Sequence, residues 1–430
     1  MTAQAHLKNT LQNNNDYLHQ QFVDGGDIVD ILRARSKLID GLLQDMWQKH
    51  QLNDLAHLTL IAVGGYGREE MHPASDIDLL VLLANEPDDN TEEKLSDFVT
   101  ELWDLGLEIG HSVRTLDECV EEATADLTVI TNLIESRYIC GNSELYKRLK
   151  DQVSPEKIWS SADFFLAKIS EQEGRYKRFG DTAYRVEPNL KDGPGGLRDL
   201  QMIGWIVLRE FGICSLKTIS KAQDNDLLNA YEYESLIEAR DFLWKVRFVL
   251  HRLTGRKEDR LLFDHQRHLA HSFGYTNDEK NQSIESFMQR YYKTITKLER
   301  LNEMFLGLLR EHILEDIKPA SKPINDYFSN ENNYLHLTQT DRFETHPPTF
   351  LEVFHLLQLH PELKGLTPKT IRELRRNLHL IDDDFRENED HKALFIKIIS
   401  QRERVNFVLR RMNRYAALEA YIPALSLIHI

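Results

Sequence analysis

The stretch "AVGGYGREEMHPASDIDLLVLL", residues Ala62–Leu83, decides the fold class. It follows the apolar run "LTLIAVGG" and closes on "DIDLLVLL", so it reads as two buried strands joined by a glycine-rich connection. Asp76 and Asp78 stand two apart, and on a strand both side chains leave one face while Ile77 and Leu79 enter the core. Two carboxylates on one face repel, an arrangement that suits a divalent cation between them. Hard oxygen ligands with a phosphate-bearing substrate are the preference of magnesium. Gly64, Gly65 and Gly67 follow a strand and let backbone N–H groups approach phosphate oxygens that a Cβ would block. Arg68 supplies local positive charge and Ser75 a further donor.

Outward from this core, Asp27–His50 places Ile28, Ile31, Leu32, Leu38, Leu42 and Trp47 at helical spacing, and "TEEKLSDFVTELWDLG" puts Leu95, Phe98, Val99 and Leu102 on one helix face. "LEIGHSVRT" then reads as a third strand. The order strand, loop, strand, helix, strand gives a small α/β unit between about Leu58 and Thr115. Along the third strand Glu108 falls on the polar side, beside the strand of the aspartates. It is a candidate general base or third metal ligand, or else an edge glutamate with no role. His111 falls on the apolar side and is expected to pack. Later segments show spacings of three and four with charged outer faces and read as helices. "KPASKPINDYFSNENN" is rich in Pro, Ser and Asn and reads as a linker.

A second motif, "YRVEPNLKDGPGGLRDLQMIGWIVLREFG", sets a constrained turn from Pro188, Gly193, Pro194, Gly195 and Gly196 before a helix ending at Gly212. Lys191 precedes that helix, whose N-terminal N–H groups attract anions. The turn can equally be a structural loop that packs the helix against the α/β unit, and no Gly-Lys-Ser/Thr of a Walker loop follows.

Composition narrows the classes. The formal net charge of −16 disfavours a general nucleic-acid or anionic-membrane binder, so an anionic substrate must be met by local cations. Cys119, Cys140 and Cys214 match neither a paired metal motif nor a disulfide framework, which fits a reducing cytoplasm. No run approaches a membrane span and the N-terminus lacks a basic-then-apolar leader, so a cytoplasmic location is expected. His265, His268 and His271 recur every third residue, a spacing that drifts around a helix, and read as solvated surface.

The glycine pair, ten residues, then "DID" followed by aliphatics resembles the nucleotidyltransferase signature of the DNA polymerase beta superfamily. With "EPNLKDGPGGLRDLQ", "GLEIGHSVRTLDEC", "DRLLFDHQRHLAHSFGY" and "VLRRMNRYAALEAYIP", nearly the whole chain resembles the bacterial PII uridylyltransferase family, bifunctional enzymes of nitrogen regulation. The resemblance implies an α+β fold: an N-terminal helical segment (1–57), a small mixed-sheet nucleotidyltransferase core (58–150), a helical domain with the GPGG motif (151–318), a linker (319–335) and a C-terminal helical region (336–430). It implies uridine triphosphate (UTP) on Gly64 and Gly65, magnesium on Asp76 and Asp78, and a tyrosine hydroxyl of the PII signal protein as acceptor. The family also carries an HD phosphohydrolase domain and two glutamine-sensing ACT domains. This sequence contains no His-Asp dipeptide and ends in "ALSLIHI", so uridylyl removal and glutamine sensing are expected to be absent. Glu69 stands where glycine or another small or basic residue is expected. Two other readings fit the same residues: another nucleotide or acceptor, or an inactive module that binds PII or nucleotide.

Overall fold

The computed structural model describes residues 3–179, 185–212, 227–277, 281–314 and 321–427. Cys214, residues 319–320 of the expected linker and the terminal 428–430 lie outside them. Helices α1 (Ala3–Val23) and α2 (Ile28–Lys49) come first, and Asp27 caps α2 by accepting the Val29 and Asp30 N–H groups. Then follow β1 (Leu58–Ala62), the single turn α3 (Gly64–Gly67), β2 (Ile77–Leu83), α4 (Asp89–Asp104) and β3 (Ile109–Thr115). Next come α5 (Leu116–Ala125), α6 (Leu127–Ile134), β4 (Arg137–Gly141) and α7 (Ser143–Gln152).

The four strands form one mixed sheet in the order β3-β2-β1-β4. β1 runs antiparallel to β2 and β4, while β2 and β3 are parallel with α4 as their crossover. Alternation sorts the β2 side chains. Ile77, Leu79, Val81 and Leu83 pack beneath α2 and α4 with Trp47 and Phe98, whose rings meet edge-on at 5.3 Å. Leu80 and Leu82 face the opposite way, onto α6 and α9. Asp78 shares that second face, so the helices covering it are the ones that can reach the site.

The helical region consists of α8 (Ser161–Arg178), α9 (Leu197–Phe211), α10 (Ala230–Thr254), α11 (Phe263–Ser272) and α12 (Gln282–Ile313). The GPGG turn before α9 is built by close packing. A Cβ on Gly195, whose φ is +73°, would stand 2.3 Å from the Ile295 carbonyl oxygen, and one on Gly196 would stand 2.8–2.9 Å from the carbonyls of Gly193, Lys191 and Leu190. Asp199, fully buried, then accepts from Gly195 N–H (2.8 Å), Gln172 (2.9 Å), Arg175 (2.5 Å) and the Tyr176 hydroxyl (2.6 Å). Of the two readings of this motif, the packed structural turn is the one its glycines obey.

Where a linker is expected, strands are found instead. β5 (Ser321–Pro323), β6 (Phe328–Glu331) and β7 (Tyr334–Leu337) form an antiparallel meander extended by β8 (Gly365–Leu366). Asn332 and Asn333, at φ 50° and 68°, make the tight hairpin turn, and Pro323 sits on the edge strand. The Pro and Asn content reflects hairpin chemistry, and the buried Phe328 anchors it. Helices α13 (Arg342–Thr345), α14 (Thr349–Leu359), α15 (Pro368–Arg376), α16 (Asp383–Glu387), α17 (Glu389–Ile399), α18 (Val405–Arg414) and α19 (Ala417–Tyr421) complete this C-terminal core. No helix among the described residues is long and apolar enough to cross a membrane.

Two left-handed positions give opposite expectations. Gly195→Ala should cost about 2 kcal/mol or more and lower the thermal midpoint, because neither φ nor the Ile295 carbonyl can yield cheaply. Glu69 adopts φ 61° with only a 3.9 Å ion pair to the exposed Arg33, so Glu69→Gly should raise stability by up to ~1 kcal/mol. Thermal or denaturant unfolding of the two variants checks both signs.

Candidate active site

The β1–β2 connection is pinned from three sides before it delivers Asp76. Tyr66 donates to Asp40 (2.5 Å), which also holds Arg137 at 2.7 and 2.9 Å, fixing α3 against α2 and β4. Arg35 of α2 donates to the Pro73 carbonyl (2.9 Å), and Ala74 N–H donates to His251 of α10 (3.3 Å). His72 N–H donates to the Ser75 hydroxyl (3.2 Å), closing the last turn before Asp76.

Asp76, Asp78 and Glu108 line one cleft of about 370 Å³ with Trp103, Leu107, Ile109 and Gly110. The register pairs Asp78 with Gly110, and Ile77 N–H donates to the Glu108 carbonyl (2.9 Å), so Glu108 lies one step along from Gly110 beside Asp76. Both oxygens of Asp78 point at glycine. A Cβ on Gly64 would come within 2.8 Å of Oδ2, and one on Gly110 within 2.8 Å of Oδ1. The sequence therefore keeps a clear cradle around this carboxylate. Burial first, then the Asp76 charge, push the Asp78 carboxyl above the usual carboxylate range, while Lys257, Lys191 and Arg68 act in the opposite sense.

Lys191, in the loop before α9, is largely buried and close enough to act on the Asp78 carboxylate. Desolvation, with Arg247 and Arg198 nearby, lowers its ammonium to about 8. Lys257, unremarkable in the sequence, pairs directly with Asp76 Oδ2 across 181 residues. The segments that carry the two lysines are bonded to each other: Leu190 N–H donates to the Asp259 carbonyl (2.8 Å) and Leu261 N–H to the Pro188 carbonyl (2.9 Å). Asp259 is itself clasped by Arg247 at 2.7 Å. Although burial opposes its ionisation, His251 and Arg247 hold its carboxyl well below the ordinary value.

Several expected residues stand elsewhere or do other work. Arg68 does not extend toward the cleft; its guanidinium is ion-paired with Glu70 (2.9 Å) and Glu135 (2.7 Å) over the Trp205 ring. Against desolvation, these two acids raise its pKa still further. Trp205 Nε1 donates to the same Glu135, and Gln201 donates to Glu70 (3.2 Å), so α9 grips the glycine loop through these acids. Gly67 is buried, its N–H donates to the Val63 carbonyl (3.0 Å), and a Cβ there would meet the Glu135 carbonyl at 2.9 Å. It is a packing glycine. Gly64 and Gly65 open the α3 turn, where the first N–H groups have no carbonyl within the helix. Ser75 closes its turn as an acceptor. His111, expected on the apolar side, is exposed and meets Trp103 edge-on at 5.6 Å, because β3 is an edge strand. His268 and His271 lie on the exposed side of α11.

Among the described residues no three His, Cys, Asp or Glu side chains converge as a ready metal set, so Glu108 does not complete one with the aspartates. The donors that fit a cation are the two aspartates, with Asp78 cleared by glycine on both sides. That incomplete oxygen set suits magnesium, which usually keeps waters and substrate phosphates in its shell.

Comparison with known proteins follows this anatomy. A family described as "Nucleotidyltransferase domain" matches residues 41–139, "GlnD PII-uridylyltransferase" matches 163–306, and "Uridylyltransferase GlnD third domain" matches 328–421. Similar proteins named bifunctional uridylyltransferase/uridylyl-removing enzyme include one from Nitrosococcus oceani, 44% identical over 418 residues. Others are from Pseudomonas aeruginosa, 42% identical over 420, and Pseudomonas putida, 43% over 425. The alignments cover 97–99% of this chain and 46–47% of those proteins, so the chain spans about half the length of the relatives it matches. With three matched regions in series and this identity along almost all of its residues, the chain belongs to the PII-uridylyltransferase family.

Proposed function

We propose that this chain transfers a uridylyl group from UTP to a tyrosine hydroxyl of the PII protein, with magnesium held by Asp76 and Asp78. The observation that carries the reading is the glycine-cleared Asp78 beside Asp76, with Lys191 and Lys257 brought to the same edge from the helical region. Similarity to proteins named uridylyltransferases supports the choice of nucleotide and acceptor. When bound, magnesium would offset phosphate charge and activate the acceptor oxygen.

The chain's own residues supply the rest. The Gly64 and Gly65 N–H groups and the two lysines meet the polyphosphate, which gives an acidic protein a local field of the right sign. Arg68 contributes to that field without contact, since its two terminal nitrogens are engaged by Glu70 and Glu135. A phenol with an unperturbed pKa of about 10 needs help to ionise at neutral pH, and Glu108, which lines the cleft with Asp76 and Asp78, would take its proton. The phenolic oxygen then bonds to the α-phosphorus, the bond to the β-phosphate oxygen breaks, and pyrophosphate leaves.

The test is incubation of the chain with PII, magnesium and UTP labelled at the α-phosphate, beside Asp76→Asn and Asp78→Asn. Label should pass to PII and fall by roughly a hundredfold or more in either variant. Wild-type chain that is folded yet transfers nothing would refute the reading, and transfer from labelled ATP in preference to UTP would correct the nucleotide. A second expectation concerns pH. Burial lowers the Lys191 ammonium to about 8, so nucleotide affinity should weaken as pH rises from 7 to 9, by up to roughly tenfold. Lys191→Met should flatten that profile, as measured by equilibrium dialysis.

A further inference from the structure

We infer that Lys257 is an internal counter-ion that occupies Asp76 until a metal displaces it, and that it then passes to the phosphates of the nucleotide. This makes metal and nucleotide binding mutually dependent. The inference rests on the nucleotidyl-transfer reading above and adds to it a residue and a binding order.

The loop between α10 and α11 presents this lysine by design of its other charges. Gly255, at φ 64°, ends α10 and turns the chain toward the cleft. Arg256 and Arg260 are both taken by Glu258, at 3.3 and 3.2 Å, and Glu258 also accepts the Arg260 N–H at 3.0 Å. Asp259 is held by Arg247. In the run Arg256-Lys257-Glu258-Asp259-Arg260, Lys257 is the cation that leaves the loop, and it lands on Asp76 Oδ2. The loop backbone is bonded to residues 188–190 on both sides of Arg260, through Asp259 and Leu261, so its position does not depend on that ion pair.

The pair is also easy to exchange. The Asp76 and Lys257 side chains are 36% and 44% exposed, so water can solvate each as they separate, and such a pair is weak. An oxygen that accepts an ammonium cannot also coordinate a cation at full strength, so Lys257 competes with a metal arriving alone. A metal arriving with a polyphosphate offers the ammonium a new anionic partner, and the competition disappears. By linkage, whatever the nucleotide adds to metal affinity the metal adds to nucleotide affinity.

Lys257→Gln tests both halves on the whole chain. Binding of manganese alone, followed by calorimetry, should tighten by roughly threefold to fivefold in the variant. Binding of labelled UTP in magnesium, followed by equilibrium dialysis without acceptor, should weaken by about the same factor or more. Lys257→Arg should keep the wild-type pattern in both. A structural role would weaken both or neither, so manganese affinity that is unchanged or reduced, or nucleotide affinity that is unchanged, overturns the inference. A wild-type chain that binds manganese but no UTP overturns the hand-over together with the functional reading. That failure is seen in the wild type itself, whereas failure of the inference alone is seen only as the absence of opposed shifts between wild type and variant.

Discussion

One buried carboxylate organises the distance between the helical region and the candidate site. Asp199 receives four donors, from the Gly195 backbone, Gln172, Arg175 and Tyr176, and Arg175 also bonds the Asp192 carbonyl at 2.9 Å. An ionised group with no exposure is tolerated only when its lone pairs are met, and removing one partner from such a set typically costs several kcal/mol. The geometry is therefore stiff. It fixes the GPGG turn, the start of α9 and the backbone on either side of Lys191. From the same helix Gln201 and Trp205 reach Glu70 and Glu135, which hold Arg68 and with it the glycine loop.

The site illustrates how an acidic chain can meet a polyanion. The overall charge of −16 repels phosphates at long range, yet Lys257 pairs with Asp76 at the cleft, and Lys191 and Arg68 lie close enough to act on the Asp78 carboxylate. Burial lowers the Lys191 ammonium, so its charge is costly where it sits, and the nearby carboxylates Asp259 and Asp192 limit that cost. Glycine does complementary work: at positions 64 and 110 the missing Cβ leaves Asp78 accessible, whereas at 67 it lets β1 and the end of α6 close together.

What could be read from the sequence was set by separation along the chain. The helix expected from Asp27, the α4 face, the glycine pair and the aspartates are short-range patterns, and each stands in the structure as a local element, with Asp78 in β2 and Asp76 one residue before it. Lys257 meets Asp76 across 181 residues, and Glu135 and Trp205 meet across 70, distances over which periodicity carries no information. Arg68 was legible as a cation near the loop but not as a partner of Glu135, 67 residues on. His111 was misplaced because alternation assumes one fully covered face, and no residue of the edge strand β3 is fully buried on either face. The segment 319–335 was misread for a different reason. Pro, Ser and Asn mark hairpins as well as linkers, and only the burial of Phe328 separates the two.

Helix α12 ties the C-terminal core to this arrangement. Ile295, Glu299, Glu303 and Gly307 are spaced by four and wind along one side of it. The Ile295 carbonyl abuts Gly195, while Glu299 pairs with Arg414, and Glu303 takes Arg411, Arg414 (3.0 Å) and the Tyr415 hydroxyl (2.9 Å). At Gly307 a Cβ would stand 2.5 Å from Pro368, so α15 rests on the helix backbone. Arg372 of α15 also bonds Glu232 of α10 at 2.8 Å, and α10 carries the Arg247 that holds Asp259 in the loop presenting Lys257. The C-terminal core thus bears on both lysine-bearing segments, through α12 on one side and α10 on the other. Because close-packed interfaces of this kind shift between discrete arrangements and do not deform smoothly, a displacement of that core would be felt at Gly195 and Asp259 before it reached the aspartates.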